Sequence, residues 1–201
     1  MNKKVLYLIS YFLIYSFIGY LIETFCVSMM NRKLVLTRGF LIGPCIPIFG
    51  VGATLITIAL KKYHNFGAIF ILSALIGTAL EYFSSLFIEK LFKIRLWDYS
   101  NKLYNVNGRI CPYMTILFGL AGIFIIKFSN PIIKKILSHL SEKKILILGS
   151  IFTFIFLIDV IISSVNFLQI KDKLKRDRPD NTREIKTQLI KRIKKIKINV
   201  F

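Results

Sequence analysis

One pattern occurs twice in this chain, as Ile18-Gly19-Tyr20-Leu21-Ile22-Glu23-Thr24-Phe25 and again as Ile76-Gly77-Thr78-Ala79-Leu80-Glu81-Tyr82-Phe83. In both stretches a carboxylate lies inside a long apolar run. An ionisable side chain at the centre of a membrane helix costs roughly 2.5 kcal/mol or more, so it usually has a function. The alternative is a structural polar contact that only joins helices. The repeated pattern predicts a membrane protein with two related halves.

The composition supports the membrane class. Hydrophobic residues make up 55% of the sequence, and the mean hydropathy is +0.61. Several apolar segments approach the roughly 20 residues that cross a bilayer as a helix, whereas the short alternating segments of a membrane β-barrel are absent. We predict an all-α, polytopic helical membrane protein with about five transmembrane helices. The predicted spans, within a transmembrane domain of residues 1–168, are about 5–28, 40–60, 66–89, 112–128 and 145–168.

The connections after the two glutamates also correspond. The first contains an Arg-Gly pair and the second a Gly-Arg pair, and in each a cysteine near a proline precedes the next span. Because each unit holds two spans, both halves enter the membrane in the same direction, as a tandem parallel two-helix repeat whose interface can form a site. We expect one polar cluster to contain the charged residues of both halves, Glu23, Arg38, Glu81 and Arg109.

Other residues in these connections are candidates for the same cluster. Gly43 and Pro44 favour a broken helix start, whose free N–H groups suit an anionic ligand, although ordinary helix punctuation explains them as well. Trp97, Asp98 and Asn107 could bind a polar headgroup, or could simply form an aromatic belt and a tight loop. Candidates of second rank are Cys45, Cys111 and Asp159, the last of which is equally explained by a hydrogen bond to Ser163. The cysteines are predicted to be free thiols, and neither a metal site nor a cofactor is expected.

Charge separates the C-terminal tail from the rest of the chain. Residues 169–201 form a basic tail in which apolar residues follow one helical face, so we predict an interfacial amphipathic helix on anionic lipid headgroups. A solvated tail or a helix that docks a partner would also fit. Nucleic acid is a poor partner despite the net charge of +19, since much of that charge lies in the tail and short loops. The predicted lipid-facing residues are Lys186, Lys191, Arg192, Lys194 and Lys195.

Orientation and location follow from the same counts. With five spans, twenty of the 29 basic residues lie on the side of the membrane that holds the C-terminus. This excess predicts an external N-terminus and a cytoplasmic C-terminus. Lys, Ile and Asn are abundant, as in bacteria of low genomic GC content. We therefore expect a multi-pass protein of the bacterial cytoplasmic membrane.

Several ordered blocks resemble the CmpB family, which is labelled "putative ABC-transporter type IV permease" and is grouped with poorly characterised vertebrate transmembrane proteins. The blocks are Tyr15-Ser16-Phe17-Ile18-Gly19-Tyr20-Leu21-Ile22-Glu23, Arg38-Gly39-Phe40-Leu41-Ile42-Gly43-Pro44-Cys45-Ile46-Pro47-Ile48-Phe49-Gly50, Leu80-Glu81-Tyr82, Leu96-Trp97-Asp98-Tyr99-Ser100 and Asn105-Val106-Asn107-Gly108-Arg109-Ile110-Cys111. The resemblance implies a permease-like component of a transporter. Because the chain lacks the phosphate loop G-x-x-x-x-G-K-[ST], ATP hydrolysis would need a separate ATPase subunit.

Three functions remain open from the sequence. The first is a permease-like bundle that holds an anionic or zwitterionic solute at the Glu/Arg cluster; five spans are few for a pore, so a homodimer is expected. The second is a membrane assembly or partner-binding protein. The third, an enzyme acting on lipid headgroups, is the weakest, because the chain has no G-x-S-x-G elbow and no paired histidines on a helix.

Overall fold

The structure, a computed structural model, describes residues 3–36, 40–92 and 95–177. Over these residues it is all-α, as predicted, and the only β-type pairing is an isolated bridge between Val106 and Ile110. Helix α4 continues through one π-helical turn, Ile125–Ser129, into α5. The helices are α1 Lys3–Asn31, α2 Pro47–Leu60, α3 Phe66–Phe92, α4 Pro112–Phe124, α5 Asn130–Ser138 and α6 Glu142–Asp177.

Four helical segments among the described residues are long and apolar enough to cross a membrane: Val5–Asn31, Phe66–Phe92, Pro112–Ser138 and Glu142–Gln169. The sequence predicted a fifth span over residues 40–60, but α2 has only 14 residues and is about 21 Å long at 1.5 Å per residue. Its start is set by Pro47, which lacks an N–H group and suits the first helical turn. Ile46 before it is extended, so residues 40–46 form a separate non-helical segment.

Neighbouring contacts fix the direction of each helix. Aromatic rings of Phe12 and Phe156 lie 5.2 Å apart, and Leu6 lies beside Gly149, so α1 and α6 run parallel. Helices α2 and α4 run antiparallel to the helices that precede them. The C-terminal ends of α1, α3 and α6 therefore meet at one end of the bundle, together with segment 40–46 and the connection from Arg95 to Cys111, called loop 95–111 below. We call this end the polar end.

The two antiparallel pairs, α1 with α2 and α3 with α4, are built on the same contacts. A Cβ at Gly19 would lie 2.5 Å from Cβ of Phe49, and one at Gly77 would lie 2.6 Å from Cβ of Phe118. The reverse contacts also match, because Gly50 lies against Phe12 and Gly119 against Phe70. Small residues at such crossings allow helix backbones to approach closely. The two Phe-Gly pairs, 49–50 and 118–119, thus place both helix pairs in the same packing register.

This packing register differs from the alignment obtained when the two halves are matched at their Cys-Pro motifs. Phe49 follows Pro47 by two residues, whereas Phe118 follows Pro112 by six. Helix α4 therefore begins about one turn farther toward the polar end than α2. Cys45 and Cys111 are close to matching places in the sequence but not at matching levels in the helix packing.

A polar contact lies toward the end of the bundle opposite the polar end. Tyr15 donates a hydrogen bond to Oδ1 of Asn130 at 2.8 Å, and Nδ2 of Asn130 donates to Thr57 Oγ1 at 3.1 Å. Asn130 begins α5 directly after the π-helical turn, and Pro131 follows it. Proline removes one helical N–H, which is a common cause of such irregular turns. These hydrogen bonds join α1, α2 and α5 beside the apolar core formed by residues such as Leu6, Ala53 and Ile133.

Candidate functional site

The candidate site begins with a stripe on α3. Gly77, Glu81, Ser85 and Glu89 follow one another at intervals of four residues, which places them on one helix face. The first three are buried, and Glu89 is half-buried near the helix end. Loop 95–111 folds back along this face and supplies its polar partners. A loop that returns into the bundle must satisfy its backbone groups there, because lipid offers no hydrogen bonds.

Arg109 of the loop is bound to the outer part of the stripe, in a set of charges that we call the arginine group: Arg109, Arg95 and Glu89. Arg109 is 7% exposed; its Nη2 lies 2.6 Å from Glu89 Oε2 and its Nη1 donates to Ser85 Oγ at 3.0 Å. Arg95 Nε lies 3.0 Å from the same Glu89 oxygen. Two arginines thus share one carboxylate, which leaves an excess positive charge in this group.

The backbone conformation of the loop turns Arg109 toward α3. Asn107 and Gly108 both have positive φ angles, of 54° and 67°, a region that glycine adopts freely and asparagine tolerates. The N–H of Tyr99 donates to the Gly108 carbonyl at 2.8 Å, and the N–H of Val106 donates to the Ile110 carbonyl at 3.0 Å. A Cβ at Gly108 would lie 2.7 Å from Asp98 Oδ1. The Asn-Gly turn is therefore required for the close approach of the two sides of the loop.

Side chains of the loop stabilise the same conformation. The indole N–H of Trp97 donates to the Arg109 carbonyl at 3.1 Å, and Asn107 Nδ2 donates to the hydroxyl of Tyr82 on α3 at 3.1 Å. Asp98 Oδ1 accepts from the N–H and the hydroxyl of Ser100, at 3.0 and 2.6 Å. Trp97, Asp98 and Asn107, all singled out in the sequence, thus hold Arg109 in place.

A second set of side chains lies deeper in the bundle, and we call it the carboxylate group: Glu23, Glu81 and Tyr99. The Tyr99 hydroxyl donates to Glu81 Oε1 at 2.8 Å, and Glu81 is 7% exposed. Oε2 of Glu81 is buried and has no hydrogen-bond partner among the described residues. Glu81 lies 11 residues before the end of α3, so Tyr99 reaches about 16 Å back along the helix.

The second glutamate is connected with Tyr99 through its charge. Burial raises the pKa of the Tyr99 hydroxyl, and the charge and hydrogen bond of Glu81 and the nearby Cys111 and Glu23 raise it further. The charge of Glu23 on α1 thus acts on the same hydroxyl that donates to Glu81. Because its pKa is raised above the ordinary range, Tyr99 remains a protonated donor at physiological pH. The carboxylate group therefore joins α1, α3 and loop 95–111 around one hydroxyl.

Segment 40–46 is held by Asp159 of α6. The N–H groups of Ile42 and Gly43 donate to Asp159 Oδ1 and Oδ2 at 3.0 and 2.8 Å, and Ser163 donates to Oδ1 at 3.0 Å. Successive N–H groups of this kind form an anion-binding concavity. The N–H groups that the sequence predicted to suit an anionic ligand are here occupied by a carboxylate of the same chain, and the predicted hydrogen bond between Asp159 and Ser163 is present.

Aromatic packing supports this attachment. Phe40 of the segment lies between Phe92 of α3 and Phe167 of α6, with ring centroids 5.3 and 4.9 Å away. Leu41 is 1% exposed, and the N–H of Ile46 donates to the Ser16 carbonyl at 3.0 Å. Segment 40–46 therefore connects α1, α3 and α6 at the polar end.

The three cysteines, Cys26, Cys45 and Cys111, are free. Cys45 lies in segment 40–46, where burial and, to a lesser degree, the charge of Asp159 raise the pKa of its thiol. Cys111 is 2% exposed at the inner end of loop 95–111. Within the described part of the chain, no group of three or more His, Cys, Asp or Glu side chains is placed to hold a metal ion.

The single cluster expected from the sequence is thus divided into two neighbouring groups. Glu81 accepts from Tyr99, whose pKa the charge of Glu23 also raises, whereas Arg109 binds Glu89 and not Glu81. Gly43 and Pro44 lie in a third place, beside Asp159. Arg38 and the predicted lipid-facing residues of the tail, Lys186, Lys191, Arg192, Lys194 and Lys195, lie outside the described residues.

Sequence reasoning did not rank four residues that complete the site: Ser85, Glu89, Arg95 and Tyr99. For two of them a signal existed, since Ser85 and Glu89 continue the four-residue stripe that begins at Gly77. Tyr99, in contrast, lies in loop 95–111. No sequence periodicity connects an irregular loop to a helix face, so its contact with Glu81 required the structure.

An all-α bundle with four apolar helices of membrane-spanning length and charged side chains inside it is a multi-pass membrane protein. A family model, CmpB, described as "Putative ABC-transporter type IV", matches residues 10–164, and the chain belongs to that family. The match includes both polar groups and Asp159. No curated protein and no solved structure matches the chain.

Proposed function

We propose that this chain is the membrane-embedded, permease-like component of a transporter, and that its solute binds at the polar end where loop 95–111 covers α3. The observation that carries the proposal is the way Tyr99 and Arg109 fill the buried polar stripe of α3 from a loop. A loop can leave a helix face without unfolding the helices. Loops that close over a site in this way commonly control access to it.

The chemistry of the two groups supports a small zwitterionic solute. Arg109 and Arg95 present planar donors suited to a carboxylate or phosphate, and Glu81 and Glu23 present acceptors suited to an ammonium group. The groups neighbour each other along α3, since Arg109 binds Ser85, one helical turn from Glu81. When the loop lifts, a solute with charges of opposite sign would replace the internal contacts that Arg109 and Glu81 make.

The equal packing of the two halves supports a parallel internal repeat. Gly19 against Phe49 and Gly77 against Phe118 are equivalent contacts in successive helix pairs. In parallel repeats the two halves are related by an axis along the membrane normal, and the site lies at their interface. Glu23 and Glu81 come from the two halves and meet at Tyr99, as this arrangement requires.

The family description, which names an ABC transporter, also supports a partner subunit. We propose that a separate ATPase subunit provides the energy, that the chain forms a homodimer, that anionic lipids bind the tail, and that the complex resides in the bacterial cytoplasmic membrane. Purification from native membranes through a C-terminal tag, followed by protein mass spectrometry, tests the partner. A stoichiometric ATPase is expected; its absence from the complex in several detergents would overturn this part of the proposal.

Thiol labelling tests the movement of the loop. In a variant that retains only Cys111, a water-soluble maleimide should label the thiol during ATP hydrolysis and leave it unlabelled without nucleotide, because Cys111 is buried under the closed loop. A cysteine-free variant with Lys102→Cys, at an exposed position of the same loop, is the control and should react in both states. Equal protection of Cys111 in every nucleotide state would contradict the proposal.

One observation favours the alternative of a partner-binding protein. Leu103 and Tyr104, at the tip of loop 95–111, are 84% and 86% exposed. If binding of another protein is the main function, replacing both with serine should remove that protein from the purified complex and leave the maleimide reaction of Cys111 unchanged. If the chain is permease-like, the same variant should keep nucleotide-dependent labelling.

A further inference from the structure

The carboxylate group has an imbalance of charge that the proposed solute site does not explain. Glu81 Oε1 accepts a hydrogen bond from Tyr99, but Oε2 is buried without a partner among the described residues. An ionised carboxylate in an apolar environment is costly unless both of its oxygens are satisfied. The charge of a second carboxylate, Glu23, contributes to the raised pKa of the same Tyr99 hydroxyl, and a further negative charge increases that cost.

No described cation compensates Glu81. The nearest guanidinium described, Arg109, binds Glu89 and Ser85, so its charge is directed away from the carboxylate group. Tyr99 supplies a hydrogen bond but no charge. Among the described residues, no positive charge is therefore placed at Glu81. Less than 1 Å² of Oε2 is accessible, so a solute or hydrated ion is too large to reach this oxygen while the loop is closed.

We propose that Glu81 and Glu23 form a proton-binding site, covered by Tyr99, and that one proton occupies Glu81 while loop 95–111 is closed. The proton bonds to Oε2 and converts the carboxylate to a neutral carboxylic acid. When the loop lifts, this O–H bond breaks, its electron pair remains on Oε2, and the proton passes to water that enters from the polar end. Loading with a proton and closing of the loop are thus linked through Tyr99.

The described elements around Glu81 offer no competing cation. Helix α2 has no titratable side chain, Tyr113 of α4 is exposed, and Cys111, directly before α4, carries no cationic group. On α6, Asp159 is engaged by segment 40–46. Farther along α3, Glu89 is paired with both arginines of the arginine group. Within the described residues, the proton is the positive charge that fits.

The proton site is a property of the resting protein, and its role in coupling rests on the proposed function. Dicyclohexylcarbodiimide tests the site directly, because this reagent modifies carboxyl groups that are protonated in apolar surroundings. The full chain in lipid nanodiscs should be modified at Glu81, as located by peptide mass spectrometry. Above the midpoint of the reaction, its rate should fall about tenfold for each added pH unit. Glu89 is the matched control and should remain unmodified, because it is ion-paired.

Variants separate the proton site from a structural role. Glu81→Gln should abolish the modification and keep the fold, since the amide still accepts from Tyr99. Glu23→Gln should keep modification of Glu81 but shift its midpoint to lower pH, because removal of a neighbouring negative charge makes the proton easier to lose. A merely structural Glu23 would leave the midpoint unchanged, which would contradict the proposed pair.

Two results would overturn the proposal. Glu81 that stays unmodified between pH 5 and 8 in wild type but reacts in Arg38→Gln would mean that an ion pair with Arg38 supplies the charge. Equal modification of Glu81 and Glu89 would mean that the reagent does not distinguish a protonated site. Neither result concerns solute movement. If Glu81 is modified as expected but Cys111 never becomes accessible under nucleotide, the proton site stands and the permease proposal fails.

Discussion

Segment 40–46 and loop 95–111 occupy corresponding places in the two halves, but one is held through its backbone and the other through its side chains. In the first half, backbone N–H groups of Ile42 and Gly43 bind a carboxylate from α6. In the second half, side chains of the loop reach carboxylates of α3, the helix directly before it. The first connection therefore depends on a distant helix, whereas the second is held by hydrogen bonds and ion pairs to the helix directly before it.

This difference gives the two connections different freedom to move. Segment 40–46 is also bound by the Phe40, Phe92 and Phe167 rings, so its displacement would separate three helices. Loop 95–111 is held mainly by polar side chains at its surface with α3. Such contacts can be exchanged for water or solute at little net cost. We therefore propose a static role for the first connection and a moving role for the second.

The largest effect is expected from removing the arginine that closes loop 95–111. Arg109→Ala leaves Glu89 and Ser85 without their partner, and loss of one member of a buried pair costs about 3 kcal/mol or more. Because Glu89 is half-buried, water recovers part of this cost. Thermal unfolding in detergent should show a clear loss of stability.

Two further variants sharpen this test. Arg109→Lys keeps the charge but cannot provide the same forked donors to Ser85 and Glu89, so it should recover only part of the stability. Lys102→Ala, in the same loop but exposed, should change the free energy of unfolding by less than about 0.5 kcal/mol. If Lys102→Ala and Arg109→Ala were equal, the arginine group would not hold the loop.

The second test concerns the attachment of segment 40–46. Asp159→Ala leaves the Gly43 N–H unpaired and leaves the Ile42 N–H only its hydrogen bond to Ser163 Oγ at 3.1 Å; an unsatisfied buried group costs about 1–3 kcal/mol. Since both lie partly open to solvent, we expect about 2 kcal/mol in total. Ser163→Ala, which removes one donor to Asp159, should cost about 1 kcal/mol. A stability loss in Asp159→Ala no larger than in Ser163→Ala would mean that the segment does not need the carboxylate.

Much of the fold could be predicted from the sequence because apolar length and repeated motifs are local signals. In this way the sequence predicted the two glutamates within apolar segments, the all-α class, and the position of both connections at one end of the bundle. The short α2 was less clear, although Pro44 and Pro47 indicated an interrupted start. The sequence without homologues gives no information about which residues meet across long separations. Asp159 lies 116 residues from Gly43, and nothing in either stretch specifies the other.

The candidate site was predicted in its residue types but not in its pairings. Arg109 and Glu81 were expected to meet because a parallel repeat places the charged residues of both halves at one interface. Glu89 lies nearer the helix end, where charged residues are ordinary, and so it was given no weight. Geometry decides otherwise, since the turn at Asn107 and Gly108 directs Arg109 toward the outer end of α3. Tyr99, not an arginine, then fills the deeper position at Glu81.

A third test asks whether the two halves are packed alike. Gly19→Ala and Gly77→Ala should each gain up to about 1 kcal/mol in helix propensity and lose about 1–3 kcal/mol from the clash with Phe49 or Phe118. Both variants should therefore be less stable by roughly 1 kcal/mol. Gly149→Ala is the control, because its added Cβ would lie at an ordinary 3.8 Å from Leu6; it should be neutral or stabilising. Unequal losses at Gly19 and Gly77 would show that the halves have diverged in packing as well as in their connections.

The smallest expected effect is electrostatic and concerns the static connection. Burial and then the charge of Asp159 raise the pKa of the Cys45 thiol, so at a given pH less of it is the reactive thiolate. Asp159→Asn removes the charge but keeps an acceptor, which should lower that pKa and increase the rate of Cys45 alkylation a few-fold near pH 8. The effect should shrink at high pH, where the thiol is ionised in both proteins. A rate increase that persists unchanged at high pH would instead mean that the segment has opened, and segment 40–46 would then be as mobile as loop 95–111.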